Sequence, residues 1–216
     1  MPATRTTEND ALRMSTDFIY LASQSPRRAL LLEQLGIAHR PLLAGADEDA
    51  EALEAERPGE LPAAYVGRVT RDKLAAARRR LATRAGTEAP ILVADTTVAL
   101  GTRILGKPAD AAQAHAILAA LAGRTHRVLT AVAVAAGSGR RSGFALNISR
   151  VHFGPIDADE IAAYVDSGEP FGKAGAYAIQ GRAAAWITRI DGSYTGIMGL
   201  PLHDTARLLR RAGVRF

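Results

Sequence analysis

The sequence contains no cysteine, which excludes a disulfide framework, thiolate chemistry and a zinc site built on cysteine ligands. It also lacks an apolar run near the roughly 18 residues that a membrane-spanning helix needs. The polar first 16 residues lack the apolar segment of a signal peptide. Together these absences predict a cytoplasmic protein with no membrane partner.

Aromatic residues are also scarce, at 5% of the chain, which is little for a surface on which bases stack. The net charge of +5 and the pI near 10 nevertheless favour an acidic partner, such as a nucleotide, a nucleic acid or an anionic lipid. Arginine is scattered through predicted helices beside alanine and glutamate. We therefore expect no stable nucleic-acid partner.

Lysine is rare as well, since only three of the 27 basic residues are lysines. They are Lys73, Lys107 and Lys173, and each lies in a segment of motif-like composition. The ammonium of lysine is compact and mobile, so it can follow a moving phosphate charge within a tight site. The guanidinium of arginine is instead a rigid planar fork. This distribution favours a functional role for the three lysines.

The length of 216 residues predicts one domain with lobes rather than two independent domains. Residues 1–16 are predicted to be a disordered leader, and residues 17–216 a single catalytic domain. Strand and helix patterns alternate, but adjoining strand patterns near residues 128–153 favour a mixed sheet over a purely parallel one. Predicted strands include residues 18–22, 37–43, 90–94 and 183–190.

Two segments follow predicted strands and carry polar residues. In residues 23–28, Ser25 fits a helix N-cap and Pro26 the first helical position. The free N–H groups of such a helix start, with Arg27 and Arg28 beside them, suit a phosphate. Asp95 follows the apolar strand 90–94, where a carboxylate is a candidate magnesium ligand or general base.

Polar side chains interrupt two further segments that are rich in glycine. Lys107 lies between a glycine and a proline, on a turn that could hold its ammonium against phosphate oxygens. Gln180 follows Lys173 in a segment where glycines permit close backbone approach to a ligand. The Gln180 amide both donates and accepts hydrogen bonds, as recognition of a base edge requires. The acidic loop 47–49 is either a metal site or a solvated loop.

Together these segments resemble the Maf family of nucleoside triphosphate pyrophosphatases over about residues 18 to 215. The matching motifs are Leu-Ala-Ser-Gln-Ser-Pro-Arg-Arg (21–28), Ala-Asp-Thr (94–96), Ile-Leu-Gly-Lys-Pro (104–108), Lys-Ala-Gly-Ala-Tyr-Ala-Ile-Gln-Gly (173–181) and Gly-Leu-Pro-Leu (199–202). The resemblance implies an α/β fold with two lobes, an elongated mixed β-sheet flanked by helices, and a nucleotide cleft between the lobes. It also implies a homodimer.

The resemblance further implies hydrolysis of a nucleoside triphosphate to the monophosphate and pyrophosphate with a divalent cation, Mg²⁺ or Mn²⁺. Asp95 matches the family's catalytic carboxylate, and Glu48 the acidic residue that helps to hold the metal. The family's phosphate-binding positions correspond to Ser23, Arg28, Lys73 and Lys107, its base-selectivity positions to Arg27, Thr96 and Gln180, and Lys173 is an additional candidate.

The motif at 173–181 is similar to the branch that prefers dTTP and UTP, rather than the sister branch that prefers 7-methyl-GTP. Two positions depart from the family pattern: Gly172 replaces a usual aspartate, and Gly196 replaces an asparagine or another polar residue. Two alternatives stay open. One is the same chemistry on 7-methyl-GTP or another modified nucleotide, and the other is a regulatory nucleotide- or nucleic-acid-binding protein linked to septum formation.

Overall fold

The computed structural model describes residues 17–45, 48–49, 52–84, 87–137 and 142–216. The predicted disordered leader, residues 1–16, therefore lies outside the described residues. The strands are β1 (Ile19–Leu21), β2 (His39–Pro41), β3 (Ile91–Leu100), β4 (Arg103–Leu105), β5 (Thr125–Ala135), β6 (Ser142–Phe153) and β7 (Ile187–Asp191). The α-helices are α1 (Pro26–Gln34), α2 (Pro62–Thr83), α3 (Ala111–Leu121), α4 (Ala158–Asp166), α5 (Tyr194–Met198) and α6 (Leu202–Arg211), and 3₁₀ turns span Ala52–Glu54, Ala174–Ala176 and Arg182–Trp186.

The described strands form one mixed sheet in the order β2-β1-β3-β5-β6-β7, with β4 paired to β3. β1 runs parallel to β2 and β3. The long strands β3, β5 and β6 pair antiparallel, as do β6 with β7 and β3 with β4. The prediction of an α/β fold with a mixed sheet is confirmed.

Two groups of helices cover the sheet at opposite ends of its long strands. At one end α3 and α4 pack on Val98, Val128 and Phe153. At the other end α1 and α6 pack on Leu92 and Val132. The middle of β3 lies between these two clusters.

The ends of several elements agree with local sequence signals. Ser25 is the N-cap of α1 and Pro26 its first residue, as predicted, although the Ser25 side chain makes no capping hydrogen bond. Asp157 and Glu160 form the expected capping box at the start of α4. Gly36, just after α1, adopts a left-handed backbone conformation with φ of 71°, which glycine tolerates without steric cost.

Three strand predictions are wrong in their bounds. β3 does not end before Asp95 but continues to Leu100, because Thr96, Thr97 and Val98 are β-branched and fit a pleated strand. β2 covers only His39–Pro41 of the predicted 37–43. The predicted strand 183–190 begins with a 3₁₀ turn over Arg182–Trp186, and β7 starts at Ile187.

Alternation along β3 sends neighbouring side chains to opposite faces of the sheet. Val93 and Ala99 pack beneath α2, and Asp95, at the same parity, faces the same side. Thr96 has the parity of Leu92 and Ala94, which pack with α1 and α6. On its outer edge β3 pairs with β1 only at Ile91 and Leu92 and with β4 only from Val98 onward. The described strands thus leave that edge open beside Asp95 and Thr96.

Candidate active site

A cleft of about 470 Å³ opens at this gap in the sheet edge. It is bordered by the loop from β1 into α1, the middle of β3, the inner side of α2, the turn after β4, and the segment from residue 172 to 180. Nine of the ten sequence-predicted site residues line it: Ser23, Arg27, Arg28, Lys73, Asp95, Thr96, Lys107, Lys173 and Gln180. The tenth, Glu48, is not among the lining residues.

Asp95 is the buried carboxylate of the cleft, with only 7% of its surface exposed. The Nζ atom of Lys73, which reaches in from α2, lies 2.6 Å from Asp95 Oδ1. The same Nζ lies 2.7 Å from Glu54 Oε1. One ammonium therefore holds two carboxylates in a site that excludes most of the solvent, where charge interactions are stronger than in water.

Glu54 is the functional candidate that the sequence did not reveal. It ends the 3₁₀ turn Ala52–Glu54, and its second oxygen accepts a hydrogen bond from Lys107 Nζ at 2.9 Å. Burial by itself raises the pKa of the Glu54 carboxyl, but the charges and hydrogen bonds of Lys73 and Lys107 outweigh it, so that pKa lies below its ordinary value. The surrounding acidic, surface-like sequence gave no signal that this glutamate enters the cleft.

Glu48 is bound by Arg80 of α2, which donates to both carboxylate oxygens at 2.6 and 2.8 Å. The hydrogen bond from Arg80 is the main reason that the pKa of Glu48 falls to about 2. Arg80 itself lines the cleft and also donates to the carbonyl of Leu42 at 2.7 Å. Glu48 thus lies behind Arg80, with its charge paired. Its neighbour Asp47 in the predicted acidic loop lies outside the described residues.

Arg28 links three segments on the opposite wall of the cleft. Its Nη1 donates to Ser23 Oγ at 3.0 Å, its Nε to the carbonyl of Gly199 at 2.9 Å, and its Nη2 to Thr96 Oγ1 at 3.3 Å. Burial lowers the pKa of the Arg28 guanidinium, an effect that the nearby Asp95 carboxylate opposes. These contacts use three of the five guanidinium N–H donors and hold the side chain in one orientation.

Two hydroxyl groups beside Arg28 have defined hydrogen-bond roles. Ser23 Oγ accepts from Arg28 and from the backbone N–H of Ser25 at 3.2 Å, so its proton is available for a ligand oxygen. Thr130 donates to the carbonyl of Gly196 at 2.7 Å, so it must accept from Thr96 across their 3.0 Å contact. The Thr96 oxygen is therefore left as an acceptor, towards Arg28 and towards the cleft.

Two of the residues predicted to read the base, Arg27 and Gln180, line the cleft together with the additional candidate Lys173. Arg27 donates from Nε to the carbonyl of Met198 at 3.4 Å. Lys173 donates to the carbonyls of Glu169 and Phe171, within its own turn, and burial followed by the charge of Arg27 lowers the pKa of its ammonium. Gln180 is exposed and lines the cleft.

Positive charge at two walls and a buried carboxylate between them suit a ligand with several phosphate groups. Among the described residues no group of three or more histidine, aspartate or glutamate side chains is arranged to hold a metal ion. No helix in the described part of the chain is long and apolar enough to cross a membrane. The fold and the cleft together define an α/β protein with a positively charged cleft around a buried carboxylate.

Comparison with known proteins identifies the family. The family model described as Maf-like protein matches residues 18–212. The chain is 63% identical over 201 residues to the dTTP/UTP pyrophosphatase of Cupriavidus metallidurans (strain ATCC 43123 / DSM 2839 / NBRC 102507 / CH34), covering 93% of this chain and 100% of that protein. It is 62% identical over 201 residues to the dTTP/UTP pyrophosphatase of Polaromonas sp. (strain JS666 / ATCC BAA-500), covering 93% and 98% of the two chains. The chain therefore belongs to the Maf-like family, which confirms the resemblance seen in the motifs.

A solved structure, one among those that match, is similar at a lower level. It is the nucleoside-triphosphatase, dITP/XTP pyrophosphatase, of Mycobacterium abscessus ATCC 19977 / DSM 44196. The two chains share 15% identity with a TM-score of 0.37, covering 64% of this chain and 75% of the other. Similarity at this level bears on neither the fold nor the function of this protein.

Proposed function

We propose that this protein hydrolyses dTTP and UTP to the nucleoside monophosphate and pyrophosphate. The observation that carries the proposal is the cleft itself, in which the buried carboxylate of Asp95 lies 2.6 Å from Lys73 and across from Arg28. Relatives that are 62 to 63% identical over almost the whole chain bear the name dTTP/UTP pyrophosphatase. That level of identity supports the choice of thymine and uracil nucleotides.

In the proposed reaction Asp95 accepts a proton from a water molecule, which attacks the α-phosphorus of the triphosphate. The bond between that phosphorus and the oxygen bridging to the β-phosphate breaks, and pyrophosphate leaves. Lys73, Lys107 and Arg28 offset the charge that grows on the departing pyrophosphate. Ser23 is positioned to donate its hydroxyl proton to a phosphate oxygen.

A divalent cation, Mg²⁺ or Mn²⁺, fits the chemistry of the donors, and we propose Asp95 and Glu48 as its protein ligands. Asp95 already contacts a cationic group, the Lys73 ammonium, and Glu48 is ionised at neutral pH because its pKa is about 2. Magnesium is often held by one or two carboxylates together with substrate phosphates and water. Bound there, the cation would polarise the α-phosphate. Glu48 would first have to exchange its contact with Arg80.

Arg27, Thr96 and Gln180 are the proposed base-selectivity residues, and Lys173 an additional contact. Gln180 is exposed at the cleft with an amide that can pair with a base edge, while Thr96 offers an acceptor. The Gln180→Ala variant should change the ratio of turnover between pyrimidine and purine substrates while retaining the reaction. An unchanged ratio would contradict the role of Gln180.

A homodimer in the cytoplasm is the proposed assembly and location. Phe144 and Ile148 on β6 expose 36% and 47% of their surfaces and offer apolar area for a second copy. Light scattering at several concentrations tests the assembly. A monomer at all concentrations would contradict it.

Turnover of a panel of standard and modified nucleoside triphosphates, with Mg²⁺ or Mn²⁺, tests the proposed function. The assay must separate monophosphate plus pyrophosphate from diphosphate plus phosphate. Pyrophosphate released mainly from dTTP and UTP is the expected result. A preference for 7-methyl-GTP would overturn the substrate, and binding that follows nucleic-acid length without any turnover would overturn the activity.

A further inference from the structure

The carboxylate of Glu54 bridges two lysines that come from different parts of the chain. Its Oε1 lies 2.7 Å from Lys73 on α2, and its Oε2 lies 2.9 Å from Lys107 on the turn after β4. Both lysines line the cleft, as does Glu54 itself. An anionic group of the protein therefore occupies the position between the two ammonium groups.

Side chains of α2 hold the backbone of the turn around Glu54 in this position. The carbonyl of Glu54 accepts a hydrogen bond from the Tyr65 hydroxyl at 2.9 Å. The carbonyls of Leu53 and Ala55 accept from Arg68, at 3.4 and 2.9 Å. Arg68 is in turn fixed by a two-point contact with Glu60, at 2.6 and 2.8 Å. Three consecutive carbonyls are thus bound by two side chains of one helix, and the turn is built to point this carboxylate at the lysines.

Two ammonium groups that line the same cleft also suit a polyphosphate. A carboxylate and a phosphate use the same donors, since both accept charge-assisted hydrogen bonds from lysine. Glu54 and a substrate phosphate therefore compete for the space between Lys73 and Lys107, because two anions placed there together would repel each other. The proposed function assigns these lysines to the leaving pyrophosphate, and the present inference rests on that assignment.

We propose that Glu54 is an internal competitor for the phosphate site and sets its selectivity for polyphosphate over singly phosphorylated ligands. Glu54 neutralises part of the charge of the two lysines while the cleft is empty. Orthophosphate or a nucleoside monophosphate offers too few contacts to displace it. A triphosphate reaches both lysines and Arg28 together, and so displaces it. After hydrolysis the return of Glu54 to the lysines favours release of pyrophosphate.

Binding of inorganic pyrophosphate to the metal-free protein, measured by isothermal titration calorimetry in the presence of a chelator, tests the proposal without turnover. The variant is Glu54→Gln, which keeps the shape and removes the charge. Glu56→Gln is the matched control, because it removes the same charge from an exposed residue two positions away. Glu54→Ala is a second variant that also removes the competing carboxylate, should the glutamine variant fold poorly.

Both Glu54 variants should bind pyrophosphate about tenfold more tightly than the wild type, as expected when the free site is open about one tenth of the time. The Glu56→Gln control should stay within about twofold. Orthophosphate and nucleoside monophosphates, which displace Glu54 less well, should gain more affinity than pyrophosphate with Glu54→Gln, so that the preference for pyrophosphate narrows. An equal gain for both kinds of ligand would overturn the selectivity role. Unchanged or weaker binding by the Glu54 variants, while the wild type binds, would overturn this inference alone. Absence of pyrophosphate binding in every variant and in the wild type would overturn the phosphate site and the proposed function with it.

Discussion

Replacing Asp95 with asparagine should greatly reduce the catalytic rate while lowering the stability of the protein only slightly. The substitution keeps the size of the side chain and removes its ability to take a proton. A positioned general base contributes about 10²–10⁴-fold to a rate. Asp95 is also 7% exposed and paired with Lys73 at 2.6 Å, so water cannot easily replace it. We therefore expect kcat to fall by about 10³-fold, equivalent to about 4 kcal/mol of activation free energy.

The same substitution should cost much less in stability. A hydrogen bond to a charged group contributes about 1.5–3 kcal/mol. Lys73 keeps its second partner, Glu54 at 2.7 Å, so we expect the lower end of that range. For a chain of this size 1 kcal/mol corresponds to about 2–4 °C, which predicts a Tm lower by about 3–6 °C. The variant should therefore be folded and inactive at 25 °C.

Steady-state kinetics with dTTP and a thermal melt on the same preparations provide the measurement. Asp72→Asn is the matched control, because Asp72 precedes Lys73 on α2, contacts Arg68 at 3.7 Å and does not line the cleft. The control should keep kcat within about twofold. An Asp95→Asn enzyme whose kcat lies within threefold of the wild type would refute the assignment of Asp95 as the base.

Three further predictions concern two glycines that depart from the family pattern and the buried His126. Gly196→Asn should destabilise the fold by about 1–3 kcal/mol, because a Cβ there would lie 2.8 Å from Asn147 Oδ1. In the double variant with Asn147→Ala, most of the lost free energy of unfolding, measured in urea, should be recovered. Gly172→Asp should lower the free energy of unfolding by about 1–2 kcal/mol, because the φ of +72° at this position is unfavourable for a residue with a side chain. The variant should still fold, because a Cβ at this position would meet open space; an unfolded variant would contradict this. Burial lowers the pKa of His126, which contacts the Tyr177 hydroxyl, from 6.5 to about 4. The unfolded chain therefore binds the proton more readily, and the free energy of unfolding should fall by roughly 3 kcal/mol as the pH drops from 6.5 to 4. The His126→Gln variant should lack this part of the pH dependence. Equal slopes of unfolding free energy against pH in the two proteins would count against this assignment.

Most elements of the fold could be predicted because their signals are local. Pro26 after Ser25, Gly36 after α1 and the Asp157–Glu160 capping box each mark a helix end within a few residues. The errors arose where tertiary context decides. The predicted strand 183–190 begins with a 3₁₀ turn, in which Trp186 packs edge-on against the buried Tyr164, with ring centroids 4.9 Å apart. That contact lies outside the information in the local sequence.

The residues of the candidate site also fall into those that the sequence reveals and those that only the tertiary structure reveals. The motifs identified nine residues that line the cleft, because glycine-rich turns and polar residues after strands leave a recognisable pattern. Glu54 left no such pattern, since it lies in an acidic stretch typical of a solvated surface. Only the hydrogen bonds from Tyr65 and Arg68 turn it into the cleft. Likewise, Arg80 could not be recognised as the partner of Glu48, 32 positions away.

The sequence alone determined the class of fold, the family and most of the polar residues of the cleft. These depend on periodicity, helix ends and short motifs, which are properties of neighbouring positions. Only the tertiary structure decided which charges meet. The alternation of β3 sends Asp95 to Lys73 and Thr96 to Arg28, on opposite faces of the sheet. Electrostatic pairing depends on distances through space, and the fold sets those distances by bringing together residues that are far apart in the chain.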